Sequence, residues 1–135
     1  MTLDDKLEIK TSTDVPDHCD HEVSSEKFEA VKKYVNNTNE FQPVVDMFKH
    51  LGDMSRIRIF WVLCHCRLCT THLSEMLEMS PPAVAHHIRL LREANLIKSE
   101  RDGREVYYFA SKTQESKALH EAIENMIELT CPVCE

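Results

Sequence analysis

The stretch Ser80-Pro81-Pro82-Ala83-Val84-Ala85-His86-His87-Ile88-Arg89-Leu90-Leu91, with the segment around Asp102-Gly103 that follows it, decides the fold. A serine at a helix N-cap accepts a bond from an orphan backbone N–H, worth about 1 kcal/mol. Proline just inside a helix start loses nothing, because its missing N–H had no partner there. Val84, Ile88 and Leu91 fall at i, i+4 and i+7, one buried stripe of a helix from Pro81 to Ala94. Beyond it, Leu96–Arg101 and Arg104–Phe109 read as two strands joined by Asp102-Gly103 in a type I′ turn, which needs positive φ at both central residues.

Working backwards from Ser80, Thr70 or Thr71 can cap a helix whose inward face is Leu73, Met76 and Leu77. Before that, a helix from about Met54 to Cys64 is expected to bury Ile57, Phe60 and Trp61, with Cys64 continuing the stripe as a core residue. Pro43 is expected to open a short helix through Val44, Met47, Phe48 and Leu51, ended by Gly52. Phe28, Val31 and Val35 give an earlier helix from Ser25, broken by Asn36-Asn37-Thr38-Asn39. A last helix, about Thr113 to Thr130, carries Leu119, Ile123, Met126 and Ile127 on a broad apolar face that invites a partner chain. The expected fold is mainly α with a small β-hairpin, a winged helix-turn-helix built as a homodimer. The expected divisions are an acidic mobile arm at 1–25, the winged domain at 26–130 and a tail at 131–135.

That plan points to double-stranded DNA. The outward stripe opposite Val84, Ile88 and Leu91 is Pro82, Ala85, His86 and Arg89, preceded by Ser80. In a helix-turn-helix this face enters the major groove. Arg89 and His86 can bond a base or a phosphate, whereas Pro82 and Ala85 offer apolar contact, as to a thymine methyl. Arg101 and Arg104 flank the hairpin tip, within reach of a backbone or minor groove. The net charge of −7 opposes this reading, but residues 1–25 hold seven acids and two lysines and so account for −5 of it. From His86 to Arg104 there are five basic residues against three acidic, and DNA affinity follows local charge.

A chain of 135 residues, 42% hydrophobic, is long enough for one domain with a real core. No run approaches the roughly 18 apolar residues of a membrane span, and the acidic N-terminus lacks a signal-peptide core. A cytoplasmic protein with no membrane partner is expected. Six cysteines there imply metal or thiol chemistry rather than structural disulfides. His18, Cys19 and His21 lie within six consecutive residues able to ligate a metal. Cys66 and Cys69 form a C-x-x-C, with His72 three residues on. Cys131 and Cys134 form another C-x-x-C, but after a helix C-terminus, the wrong pole for stabilising a catalytic thiolate. His120 and Glu124, at i and i+4, can chelate, although a solvated pair is the simpler reading. No nucleophile–base pair or phosphate loop is visible, so no enzyme is expected.

The run Phe48-Lys49-His50-Leu51-Gly52-Asp53-Met54-Ser55-Arg56-Ile57-Arg58-Ile59 resembles the opening of the ArsR/SmtB family of metal-responsive repressors, which reads roughly F-K-x-L-G-D-x-T-R-x-x-I. Ser80 through Leu91 and Asp102 through Tyr108 continue the resemblance, over about residues 45–110. It implies a homodimeric winged-helix repressor that leaves its operator when an inducer binds. The thiolate motif of some members, E-L-C-V-C-D, aligns with Arg67-Leu68-Cys69-Thr70-Thr71-His72, so the second cysteine is Thr71 here. Cys66 or His72 would substitute, and the 17–22 cluster resembles N-terminal ligands that reach this helix in some relatives. The family's last-helix site, with Asp and His near the helix start and His and Glu near its end, is poorly matched. Thiolate and imidazole together favour Zn(II), Cd(II) or Pb(II), and three thiolates alone As(III). The other readings are a thiol-redox sensor using the cysteine pairs, and a metal-buffering or interaction module without DNA binding.

Overall fold

The structure, a computed structural model, describes residues 24–130. Contacts divide the chain between Val44 and Val45 into two units. In the first, α1 (Ser25–Val35) starts at Ser24, whose hydroxyl accepts from the Lys27 N–H at 3.3 Å. Asn36 closes it by donating its side-chain amide to the Lys32 carbonyl at 2.7 Å. Within this unit the helix buries nothing, and Phe28, Val31 and Val35 stand exposed. Then α2 (Thr38–Leu51) begins five residues before Pro43, which lies inside it rather than at its start. The asparagine run is therefore less of a break than its composition suggests. The Asn37 carbonyl accepts from Glu40 N–H at 3.0 Å, so Thr38 and Asn39 already occupy the first turn.

The second unit holds the core. Gly52 follows α2 because a Cβ there would meet the Phe48 carbonyl oxygen at 3.1 Å. Asp53 caps α3 (Met54–His65), its carboxylate accepting from Arg56 N–H at 3.0 Å. The face buried by α3 differs from expectation. Ile59, Phe60, Val62 and Leu63 are buried, while Ile57, Trp61 and Cys64 are half-buried at the margin. The helix packs on two sides, so its sequence period is weak.

After α3 comes β1 (Leu68–Cys69), which the sequence reading missed. Next is α4 (Thr70–Leu77), whose N-cap is Cys69 without a side-chain bond rather than a threonine. Glu78 ends α4 in the left-handed region, φ 53°, and Met79 N–H bonds back to the Ser74 carbonyl at 3.1 Å. Ser80 then caps α5 (Pro81–Glu93), accepting from Ala83 N–H at 3.3 Å. Val84, Ile88 and Leu91 of α5 are buried with Leu73 and Leu77 of α4 and Phe60 of α3.

Asn95 turns the chain at φ 59° into β2 (Ile97–Asp102) and β3 (Glu105–Ala110). Asp102 pairs with Glu105, so the turn residues are Gly103-Arg104, one place later than expected. Only Gly103, φ 63°, has positive φ there, so a type I′ turn centred on Asp102-Gly103 is replaced by one with glycine in its first central position. The sheet has three antiparallel strands in the order β1-β3-β2. Thr113 Oγ1 accepts from Ser116 N–H at 3.2 Å at the start of α6 (Gln114–Thr130). The buried Ser111 and Ser116 hydroxyls donate to the carbonyls of Asn95 and Leu96, at 2.7 and 3.3 Å, fastening α6 to the root of the hairpin. The result is mainly α with a small sheet, the winged helix-turn-helix arrangement expected from α4, α5 and the β2–β3 wing. No helix among the described residues is long and apolar enough to cross a membrane.

Candidate functional site

The outward face of α5 carries Pro82, Ala85, His86 and Arg89, all exposed, because the opposite stripe is committed to the core. The Arg89 guanidinium lies 3.4 Å from His86 Nδ1 and 4.0 Å from Glu93, both loose surface contacts. Ser80 is exposed and engaged as the cap. At the wing tip, Arg104 is exposed and Arg101 Nε donates to the Gly103 carbonyl at 3.4 Å. His87 turns inward. Its Nδ1 has no hydrogen-bond partner among the described residues and lies 3.9 Å from Asp53 Oδ1. The Arg56 N–H holds the Asp53 carboxyl below its usual range, against burial and with help from the charges of His87 and Arg56.

The thiol-bearing turn is joined to the wing. Cys69 pairs with Tyr107 and Leu68 with Tyr108, so β1 is part of the wing sheet. Arg67 stacks on the Tyr107 ring at 4.6 Å and pairs with Glu100 at 3.5 Å. Cys69 is buried and Cys66 and His72 are exposed. These three do not converge on one point among the described residues. His18, Cys19, His21, Cys131 and Cys134 lie outside the described residues. Burial, helped by the charge of Glu124, pushes the Cys64 thiol up to about 11, so it stays protonated.

A different trio does converge. Glu124 Oε1 lies 2.8 Å from His65 Nε2 and 3.1 Å from His120 Nε2, and the two imidazole nitrogens are 3.2 Å apart. Trp61 Nε1 donates to the same carboxylate oxygen at 3.1 Å. The hydrogen bond from His65, with a second from His120, holds the Glu124 carboxyl below the usual range against desolvation. Sequence reading noted the His120/Glu124 spacing but not His65, whose 55-residue separation from His120 only the packing of α3 on α6 closes.

Comparison with known proteins fits this geometry. The family profile described as "Bacterial regulatory protein, arsR family" matches residues 53–99, from the α3 cap into β2. The chain is 35% identical over 86 residues to a "Transcriptional repressor SmtB homolog" of Synechocystis sp., covering 64% of this chain and 65% of that protein. It is 31% identical over 87 residues to a "Cadmium resistance transcriptional regulatory protein CadC homolog" of Staphylococcus aureus, covering 64% and 71%. With "HTH-type transcriptional regulator KmtR" of Mycobacterium tuberculosis, 32% identical over 65 residues, it spans 50% of the relative's length. Among solved structures, HlyU from Vibrio cholerae superposes with a TM-score of 0.60 at 28% identity, covering 70% of this chain and 98% of that one. By its capped helix-turn-helix, its wing and these relatives, the chain belongs to the ArsR family of bacterial transcriptional regulators, and not to a class of enzymes.

Proposed function

We propose that this chain is a homodimeric repressor that binds double-stranded operator DNA and releases it when a thiophilic metal ion binds. The observation that carries the reading is the Cys69–Tyr107 pairing. It makes the thiol turn an edge of the same sheet that forms the wing, so a change of geometry at the turn has a short path to the DNA-facing surface. Ser80, Pro82, Ala85, His86 and Arg89 form the groove face, with Arg101 and Arg104 at the wing tip. Cys66, Cys69 and His72 supply part of a ligand set. Because they do not converge by themselves, His18, Cys19, His21 or the Cys131/Cys134 pair must complete it. Zn(II), Cd(II) and Pb(II) suit that mixture, and As(III) suits a set of three thiolates. The relatives named for SmtB and for cadmium resistance favour a metal over other inducers.

Support for self-association comes from apolar surface. Phe28 on α1 is 55% exposed and Met126 on α6 is 58% exposed. Within the second unit, an open groove of about 550 Å3 is lined by Ile57, Trp61, Leu77, Ile123 and Ile127. A DNA-binding regulator of this kind works in the cytoplasm.

The test is gel shift on the protein's own upstream region with anaerobic protein, across metals and oxidants. Cys69→Ser should keep operator binding and lose metal-triggered release. Unchanged release removes Cys69 from the site, and no salt-sensitive binding at low salt removes the repressor reading. Metal analysis separates the thiol-redox alternative, which requires disulfides and no bound metal.

A further inference from the structure

We infer that His65, His120 and Glu124 form a second metal site within one chain, an N2O site for a first-row divalent cation such as Zn(II), Co(II) or Ni(II). The spacing is what carries it. Zinc held at about 2.0–2.1 Å by tetrahedral ligands requires donor atoms about 3.3 Å apart. The three distances here are 2.8, 3.1 and 3.2 Å, all within about half an ångström of that triangle before any ion draws the ligands into place.

The arrangement is awkward without a cation. Two imidazole Nε2 atoms face one another while both approach one carboxylate oxygen. If both carry protons the N–H groups crowd, and if either is bare its lone pair faces a negative oxygen. A divalent cation satisfies both lone pairs and the carboxylate together. Trp61 Nε1 donates to the same oxygen and so holds the carboxylate in place, as hydrogen bonds to metal-ligating carboxylates do. A groove of about 350 Å3, bordered by His65, Cys66 and His120, leaves an approach for the ion and room for water as a further ligand.

This set differs in chemistry and placement from the thiolate turn. It has no sulfur, so it favours borderline first-row ions over soft ones. It also ties the last residue of α3 to the middle of α6. The site rests on this geometry alone and does not depend on the repressor reading.

Trp61 is the only tryptophan of the chain, so its emission reports on Glu124 directly. The experiment titrates Co(II), and separately Ni(II), into the reduced full chain, following Trp61 emission and the visible cobalt bands. An ion at this site should change the emission and give visible cobalt bands, whereas an ion held by the thiol turn would add strong near-ultraviolet sulfur-to-cobalt absorption, so the two are told apart. His65→Gln, His120→Asn and Glu124→Gln should each weaken that response by at least about tenfold. Cys66→Ser and Cys69→Ser should remove only sulfur-to-cobalt absorption and leave the emission change, which reads Glu124 through Trp61. Circular dichroism identifies any variant that fails to fold, and the exposed His65 and half-buried His120 provide independent replacements. A response that survives in the folded His65 and His120 variants, or that is lost in a folded cysteine variant, overturns the site.

Discussion

Arg89→Ala tests the reading face with little effect on the fold. The Arg89 side chain is 65% exposed, and its nearest polar contacts are 3.4 and 4.0 Å away. Surface contacts of that kind contribute at most a few tenths of a kcal/mol, so the variant should melt with the parent protein. On DNA the outcome separates two roles. A bidentate contact to guanine is worth about 1–3 kcal/mol, or roughly a 5- to 150-fold loss of affinity for the operator and little for a scrambled duplex. A phosphate contact instead removes about 0.9 from the slope of log affinity against log salt. Over the fourfold change from 50 to 200 mM salt that amounts to about 3.5-fold, equally for both duplexes. Arg101→Ala at the wing tip is the comparison and should follow the phosphate pattern. Fluorescence anisotropy with labelled operator and scrambled duplexes at four salt concentrations measures both quantities. If Arg89→Ala binds both duplexes as the parent does, with the same slope, α5 does not face the DNA and the assignment of its outward stripe is wrong.

Two further outcomes concern the scaffold. Asp53→Ala should cost about 1 kcal/mol at neutral pH through loss of the α3 cap, read by urea unfolding. The Asp53 carboxyl is held below its usual range by the Arg56 N–H, with His87 on α5 and Arg56 itself as the facing charges. Its contribution is therefore complete above the unfolded carboxyl pKa and fades as pH falls through the lower folded value. Asp53→Asn keeps the cap and should flatten that acid limb, so an acid limb as steep as the parent's would contradict this source of pH dependence. Leu73→Ala removes a side chain with 0% exposure at the meeting of α4 with the core and should cost about 2–5 kcal/mol. A loss below 1 kcal/mol in the same assay would mean that α4 is not anchored through Leu73.

The legible parts of the chain are those where local chemistry and the global fold agree. Ser80-Pro81-Pro82 marks the start of α5 because cap and proline act within one turn, and Val84, Ile88 and Leu91 mark its buried face. Elsewhere local signals had competitors. Pro43 reads as a helix start, yet α2 tolerates it one turn in, because the Asn37 carbonyl has already organised the preceding residues. Thr70 and Thr71 are good capping residues, but pairing with β3 fixes Leu68 and Cys69 as a strand and puts Cys69 at the cap position. That pairing spans almost forty residues of sequence and leaves no local trace. The same limit hid His65. The spacing of His120 and Glu124 was visible, but the third ligand comes from α3, and only tertiary packing reveals it. Cys66, Cys69 and His72 are close in sequence, but with Cys69 buried and the other two exposed they form no cluster by themselves among the described residues.

The strand order β1-β3-β2 has a consequence for how the protein behaves at high concentration. On one side of β3 the two-residue β1 is too short to template another chain, and on the other β2 is an edge strand among the described residues. Along that edge the sequence Lys98-Ser99-Glu100-Arg101-Asp102 alternates in sign and carries no large apolar side chain. An incoming strand would have to match that charge pattern residue by residue while desolvating it. The wing's edge is therefore a poor seed for the edge-to-edge stacking that leads to fibres.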